Sequence, residues 1–524
     1  MILWKFPATK SNATIRNAMK NRYVMPALLL VSLALGFWLR WDGLDWGRKS
    51  GAQFHPDEPR FVEQANALDR GLPLRKSYVF GFGEAIRAVH AIAPSLDYAR
   101  IARGLSIASG MLLCLVVFAI ARELKLGANA AALACAFTSL NTMCVIHSHF
   151  GTADMTYVLF LYLFALAVLR GWLLIAAVVT GLAMAAKFGM ILIPSLLWLV
   201  CSPAFRRSGF RLKAVLQTTL LLLIALFVFL AAQGFTFDRE SIRMISLSAQ
   251  QDNLGGFEHR KWQNIITYSG VAIRALGIPV FSFAVIGLAR VRRAARSGDI
   301  PVAVWIAFLP FALHALGLLA INTTFPRHFL PLVPLLLILA ARSIEKLPRF
   351  RAPVAAFCLA WSALLAWSDG FAFSHEPRFE LMRNYLGTIK NPDREQIFRR
   401  SWSDPFYQNL PSACFTPHPN NAESVFLHEG WTWRFNRSEI NPLSDPDKEQ
   451  LYHASTDELR WYRAFKGSVA RGTRKEIFEA GPPNILPEQF LYDAAWGSFE
   501  KFAGKCTVYE RAAPQVPIIG KPAR

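Results

Sequence analysis

Phe54-His55-Pro56-Asp57-Glu58-Pro59-Arg60 is the stretch on which the reading of this chain turns. It follows the first long apolar segment and puts two adjacent carboxylates, a histidine and an arginine beside a membrane surface. Ionisable groups are costly to desolvate there, so their presence points to function. Pro59 has no backbone N–H and biases Glu58 towards an extended conformation. The pattern therefore predicts a helix from Pro59, with proline in the first-turn position it favours. Phe61, Ala65 and Leu68 then share one face, and Gly71 is the expected stop. Asp57 and Glu58 would sit at the positive end of that helix, which favours their ionised forms. The plainer alternative is that Asp57 only caps the helix.

Working outward, the chain is too apolar for an ordinary soluble protein. Of its 524 residues 53% are hydrophobic and only 18% charged, with 40 Phe and 15 Trp. The formal net charge is +21, which in a soluble protein would suggest nucleic acid. Here the basic residues cluster in short links between apolar runs, the pattern of membrane orientation. There is no zinc spacing, P-loop, dinucleotide fingerprint or internal repeat. The basic N-terminus leads into an apolar run long enough to span and has no small-residue cleavage site, so it reads as an uncleaved first helix.

Apolar runs near the ~20 residues needed to cross a bilayer fall at 23–41, 101–121, 127–146, 154–170, 172–187, 189–201, 214–233, 270–289, 301–321, 328–341 and 353–369. The expectation is an all-α polytopic membrane protein of about eleven spans. Five basic clusters fall on one side of that pattern: Lys5 to Arg22, Arg122 with Lys125, Arg206 to Lys213, Arg290 to Arg296, and Arg342 to Arg351. The positive-inside rule makes that side cytoplasmic. An odd span count then places the region from about 371 to 524 outside, in a bacterial plasma or inner membrane protein.

The same topology puts the external loops near 42–100, 147–154, 234–268 and 322–328 on one face, with Lys187 at the outer end of the fifth span. The tail, 371–524, is richer in charged residues, Trp, Tyr, Pro and Asn, shows no span, and is expected to form a small extracytoplasmic mixed α/β domain after a transmembrane catalytic domain of residues 1–370. Cys414 and Cys506 lie in it, where the compartment would permit a disulfide. The other five cysteines lie in or beside spans and read as packing residues.

Taken in order, these motifs resemble those of the C-type glycosyltransferases, among them the protein O-mannosyltransferases and the enzyme that adds aminoarabinose to lipid A. Phe54 to Glu58 is similar to their first-loop Asp-Glu motif, and His147-Ser148-His149-Phe150 with Thr152-Ala153-Asp154 to their second acidic loop. Gly181 to Lys187 resembles the Gly…Thr-Lys element that follows. Pro326-Arg327-His328-Phe329-Leu330-Pro331-Leu332-Val333-Pro334 resembles the later Arg-Tyr…Pro…Pro segment. His328 stands where the family carries Tyr, and the tail corresponds in position alone.

The resemblance implies inverting transfer of one sugar from a polyprenyl phosphate to a glycan, lipid or protein acceptor on the outer face, with membrane lipids as surroundings and no nucleic acid. It makes Asp57 the base, with Glu58 orienting Asp57 or binding the acceptor, and Asp154 positioning acceptor or sugar. Such chemistry needs a base for the acceptor's proton and cations for the departing phosphate. Lys187 and Arg327 are the expected phosphate ligands, one a point charge and one a planar fork, with His328 beside them. Snorkelling to lipid headgroups is the plain alternative for both cations. His55, Arg60, His147, His149, Arg260 and Lys261 are further substrate-binding candidates. A divalent metal on His55, His147 and His149 is not favoured: their spacing fixes no ligand geometry, and the resemblance implies chemistry without a cofactor. The rival readings are a transporter or flippase of a lipid-linked or small substrate, and a non-catalytic membrane scaffold.

Overall fold

The computed structural model describes residues 12–47, 55, 57–72, 79–187, 190–201, 211–235, 243, 261–320, 325–347, 349–375, 381, 384–385, 397–400, 422–429, 456–499 and 504–511. Arg260, Cys414, the proposed disulfide, most of the loop 234–268 and residues 322–324 of the loop 322–328 lie outside them.

Helix α1 spans Asn12–Trp41, and α2, Glu58–Arg70, carries the acidic pair at its start. Pro59 occupies its first turn, and Gly71 ends it in the left-handed conformation at φ 62°, which glycine adopts without a Cβ penalty. Phe61 and Ala65 of α2 pack with Phe82 and Ile86 of α3, Gly81–Ile92, and with Ile101 and Ala102 of α4, Tyr98–Glu123. Asp97 caps α4 by accepting the Arg100 N–H at 2.8 Å. Next come α5 (Ala128–Ser139), α6 (Thr142–His149), α7 (Asp154–Arg170) and α8 (Leu173–Lys187). After them lie α9 (Ile193–Cys201), α10 (Arg211–Ala232), α11 (Lys261–Leu276) and α12 (Ile278–Ser297). The helical series closes with α13 (Val302–Ala320), α14 (Val333–Glu345) and α15 (Arg351–His375).

Two of the apolar runs are not single helices. The run 127–146 is broken between α5 and α6, which bend by 46°, because Asn141 leaves the helix to cap α6 through the Cys144 N–H at 3.1 Å. The run 270–289, read from sequence as one span, turns by 117° between α11 and α12. Gly277 makes this corner at φ 74°, with proline in the first turn of the next helix. Among the described residues, five helices are long and apolar enough to cross a membrane, or up to seven when each bent pair counts once. Several other runs form shorter helices, including the 15 residues of α8 and the 9 of α9. Run 328–341 begins as the 3-10 segment Pro326–Leu332, whose two prolines suit a short irregular entry into α14.

One apolar core runs through the helices, with small residues at close crossings. A Cβ at Gly287 of α12 would come within 2.6 Å of the Leu339 carbonyl on α14, so only glycine lets these backbones approach. In the tail, strands β1 (Ile397–Arg400), β2 (Ser424–His428), β3 (Arg474–Ala480) and β4 (Cys506–Arg511) form one sheet in the order β1-β2-β4-β3. Among the described strands only the β1–β2 pair is parallel. Helix α16 (Thr456–Ala470) covers the sheet through Tyr462 and Phe465, which pack on Val425 and Leu427. Helix α17 (Pro487–Trp496) and Phe499 join the core of the helical body, and Trp361 donates to Glu488 at 2.6 Å.

Candidate active site

The start of α2, the loop before α7, the end of α8 and the 3-10 segment before α14 meet in one polar cluster. Asp57 takes the N-cap position of α2 with no side-chain cap bond; its carboxylate serves two arginines instead. Oδ1 accepts from Arg60 Nη1 at 3.2 Å and Oδ2 from Arg327 Nη1 at 3.1 Å. Asp57 keeps 16% of its side-chain surface exposed, enough for an incoming group to touch it. Burial raises its pKa, but Arg327, His55 and Arg60 together lower it, and the net result is below the ordinary carboxylate value. Asp57 is therefore an anion at neutral pH.

His55 lies fully buried against Phe150, ring centroids 4.6 Å apart. Its Nε2 is 3.0 Å from Arg327 Nη1, and its Nδ1 is 3.2 Å from the Asp57 N–H. A neutral imidazole accepts at one nitrogen only, so the two donors compete for a single lone pair. Burial pushes its pKa down to about 3, which keeps the ring neutral and rules it out as a resident cation at neutral pH.

Glu58 faces elsewhere. It is completely buried and paired with Arg103, itself 2% exposed. Arg103 donates from Nη2 to Oε1 at 2.7 Å, and the Gly151 N–H donates to Oε2 at 3.0 Å. Arg103 also donates from Nη1 to the Leu44 and Trp46 carbonyls at 2.9 and 2.5 Å. One guanidinium thus ties the turn after α1, the start of α2 and the loop before α7 together. Among the described residues Glu58 makes no hydrogen bond to Asp57, and acceptor binding by Glu58 would mean breaking a buried ion pair. The geometry makes Glu58 a tie between these segments. Sequence reading missed Arg103, because a lone arginine inside an apolar run carries no local sign of its partners.

Asp154 begins α7 and is 6% exposed. It pairs with Lys187 at the end of α8, and Thr152 Oγ1 donates to its Oδ2 at 3.0 Å. Lys187 keeps 45% of its side chain exposed. Arg327 and Lys187 are thus brought into one cluster, each resting on a carboxylate, and Arg327 also lies over Phe325, 4.9 Å from the ring centroid.

The histidines divide. His147 is buried edge-on to Phe150 within electrostatic reach of Asp154, Arg327 and Lys187, and its Nδ1 has no partner among the described residues. His149 turns into the core, where it stacks on Phe373 at 4.3 Å and its Nδ1 bonds the Val145 carbonyl at 3.0 Å. His328 is held from both ends: Tyr268 Oη lies 3.4 Å from its Nδ1, and His314 Nε2 donates to its carbonyl at 2.7 Å. Tyr268 and His314 are further neighbours that sequence reading did not single out. Lys261 opens α11. Among the described residues no three His, Cys, Asp or Glu side chains form a group that could hold a metal.

No family model matches the sequence, and no curated protein matches it. Solved structures do show likeness. The oligosaccharyltransferase AglB of Archaeoglobus fulgidus, in complex with an inhibitory peptide and a dolichol-phosphate, is similar at TM-score 0.46 and 11% identity, over 94% of this chain and 89% of that one. ArnT of Cupriavidus metallidurans in the apo state is similar at TM-score 0.46 and 14% identity, over 95% of this chain and 100% of that one. The same ArnT bound to undecaprenyl phosphate gives TM-score 0.43. Both proteins are C-type glycosyltransferases, the group whose motifs this sequence resembles. With TM-scores under 0.5 these likenesses assign no role to any residue here.

Proposed function

We propose that this protein is an integral membrane glycosyltransferase that moves a single sugar from a polyprenyl-phosphate donor to a glycan, lipid or protein acceptor on the outer face of the membrane, with inversion. The observation that carries the reading is the convergence of Asp57 with Arg327, 270 positions away in the chain, in a cluster that also holds Asp154 and Lys187. An anionic base beside two cations is what acceptor activation and phosphate departure require. In this reading Asp57 takes the proton of the acceptor hydroxyl as that oxygen attacks the anomeric carbon. The bond from that carbon to the phosphate oxygen breaks, its electron pair leaves with the phosphate, and Arg327 and Lys187 offset the charge that develops. A polyprenyl donor cannot leave the bilayer, so the reaction belongs at the interface, where the partly exposed Lys187 and Asp57 could meet it. Asp154 holds Lys187 in place, and no cofactor takes part.

The same proposal keeps the N-terminus cytoplasmic, about eleven passes through a bacterial plasma or inner membrane, and an extracytoplasmic tail from about residue 371. The test is transfer from a synthetic polyprenyl-phosphate sugar by purified protein, beside Asp57→Asn. Asp57→Asn should lose turnover while retaining expression and donor binding. Near-wild-type turnover in that variant would remove Asp57 as the base. A wild-type protein that moves the intact lipid-linked sugar across vesicles without transferring it would instead be a transporter.

A further inference from the structure

The arginines that close α12 gather with those that close α14 at one end of the helical body. Helix α12 begins just after Gly277, where a Cβ would meet Glu488 Oε1 of the tail at 3.1 Å. Helix α14 begins just after the segment that carries Arg327 and the candidate site. Midway the two helices touch at Gly287 and Leu339. They therefore run the same way. At 1.5 Å per residue their ends, Arg292 to Arg296 and Arg342 to Lys346, lie side by side about 5–14 Å beyond that crossing. The Gly127 N–H donates to Glu345 Oε1 at 3.1 Å, which brings the turn between α4 and α5, with Arg122 and Lys125, to the same end.

Nearby carboxylates do not answer this charge. Glu345 is engaged by Gly127, Asp299 accepts from Ser297, and Glu123 pairs with Arg170. Arg292, Arg293 and Arg296 are exposed, and among the described residues no carboxylate pairs with them. The surface above them fixes what kind of partner fits. Val285, Ile286 and Ala289 precede Arg292, Arg293 and Arg296 by seven positions each, two helical turns, so the two sets share one face of α12. Val285 and Ile286 are 49% and 44% exposed. One face is thus apolar for its first turns and cationic for its last. A soluble polyanion would leave the apolar turns facing water, and an uncharged lipid would leave the arginines unanswered. A molecule with an anionic head and an apolar chain satisfies both, because basic clusters at the end of a membrane helix attract anionic headgroups.

We propose that this end of the helical body retains an anionic phospholipid, its phosphate on Arg292, Arg293 and Arg296 and an acyl chain along Val285 and Ile286. Arg342 and Lys346 add charge from α14. The site lies at the far end of α14 from Arg327, so it is separate from the reaction and does not depend on the transferase reading. Full-length protein in dodecyl maltoside micelles is titrated with dioleoyl phosphatidylglycerol or dioleoyl phosphatidylcholine, and bound lipid is counted by native mass spectrometry. The two lipids share their chains, so the comparison reads the headgroup. The wild type should retain phosphatidylglycerol selectively. Replacing Arg292→Gln, Arg293→Gln and Arg296→Gln together should weaken that retention by about tenfold or more, as three cations near the headgroup are lost. These side chains are exposed, so the variant keeps its fold. A control with Arg463→Gln, Lys466→Gln and Arg471→Gln, three exposed cations of the tail, makes the same change in net charge and should retain the lipid as the wild type does. Equal retention of the two lipids by the wild type would overturn the proposal. So would an equal loss in both triple variants, which reads net charge alone, or displacement of the lipid by an equal concentration of glycerol phosphate, which reads a site for free phosphate.

Discussion

Glu58→Gln is the most direct test of how the site is held together. The substitution keeps the side-chain shape and removes the charge opposite Arg103. Glu58 is 0% and Arg103 2% exposed, so solvent cannot replace the lost partner. Arg103 would keep its bonds to the Leu44 and Trp46 carbonyls and be left as a buried cation with no counter-charge. Breaking a buried ion pair from one side costs about 3–5 kcal/mol, whereas an exposed pair is worth about 0–1 kcal/mol. Replacing both partners, Glu58→Leu with Arg103→Met, removes the charges together and should cost much less than Glu58→Gln alone. Equilibrium unfolding in mixed micelles, followed by tryptophan fluorescence, of the wild type, Glu58→Leu, Arg103→Met and the double variant closes a double-mutant cycle, with Glu58→Gln measured beside them. A loss below about 1 kcal/mol in Glu58→Gln, the range of a surface pair, would refute the clamp. So would a double variant as unstable as the sum of the two single ones.

Three further outcomes follow from the same geometry. Asp57 is needed as the anion and its pKa is lowered, so the acid limb of transfer should lie below the ordinary carboxylate value, about pH 3.9; Arg327→Ala leaves burial less opposed and should move that limb to higher pH in a pH–rate profile, a move in the opposite direction counting against the assignment. Lys187→Ala should weaken donor use by about 2–4 kcal/mol, the scale of one lost transition-state donor, read as kcat/KM for the polyprenyl-phosphate sugar; unchanged kinetics would make Lys187 an interfacial anchor. A single engineered cysteine in the tail, with Cys414 and Cys506 replaced, should react with a membrane-impermeant maleimide in intact cells, and labelling only after lysis would reverse the orientation.

Much of this was legible along the chain, because the information was local. Pro59 and Gly71 set the bounds of α2 by backbone chemistry, and the apolar runs set the helical class by bilayer thickness. The ordered motifs picked out Asp57, Asp154, Lys187 and Arg327, since charged side chains at the ends of apolar helices are conspicuous whatever they touch. Hydropathy could not show that run 270–289 folds back by 117°, because one glycine with positive φ leaves no trace in an average over the window. Nor could it separate Asp57 from Glu58. The two are neighbours in sequence, yet one faces Arg60 and Arg327 at a partly open cluster, and the other is sealed against Arg103 and the Gly151 N–H. Which carboxylate faces the partly open cluster depends on partners 45 to 270 positions away. Those partners come within reach only when the helices pack, so sequence supplied the ionisable groups and tertiary structure chose among them.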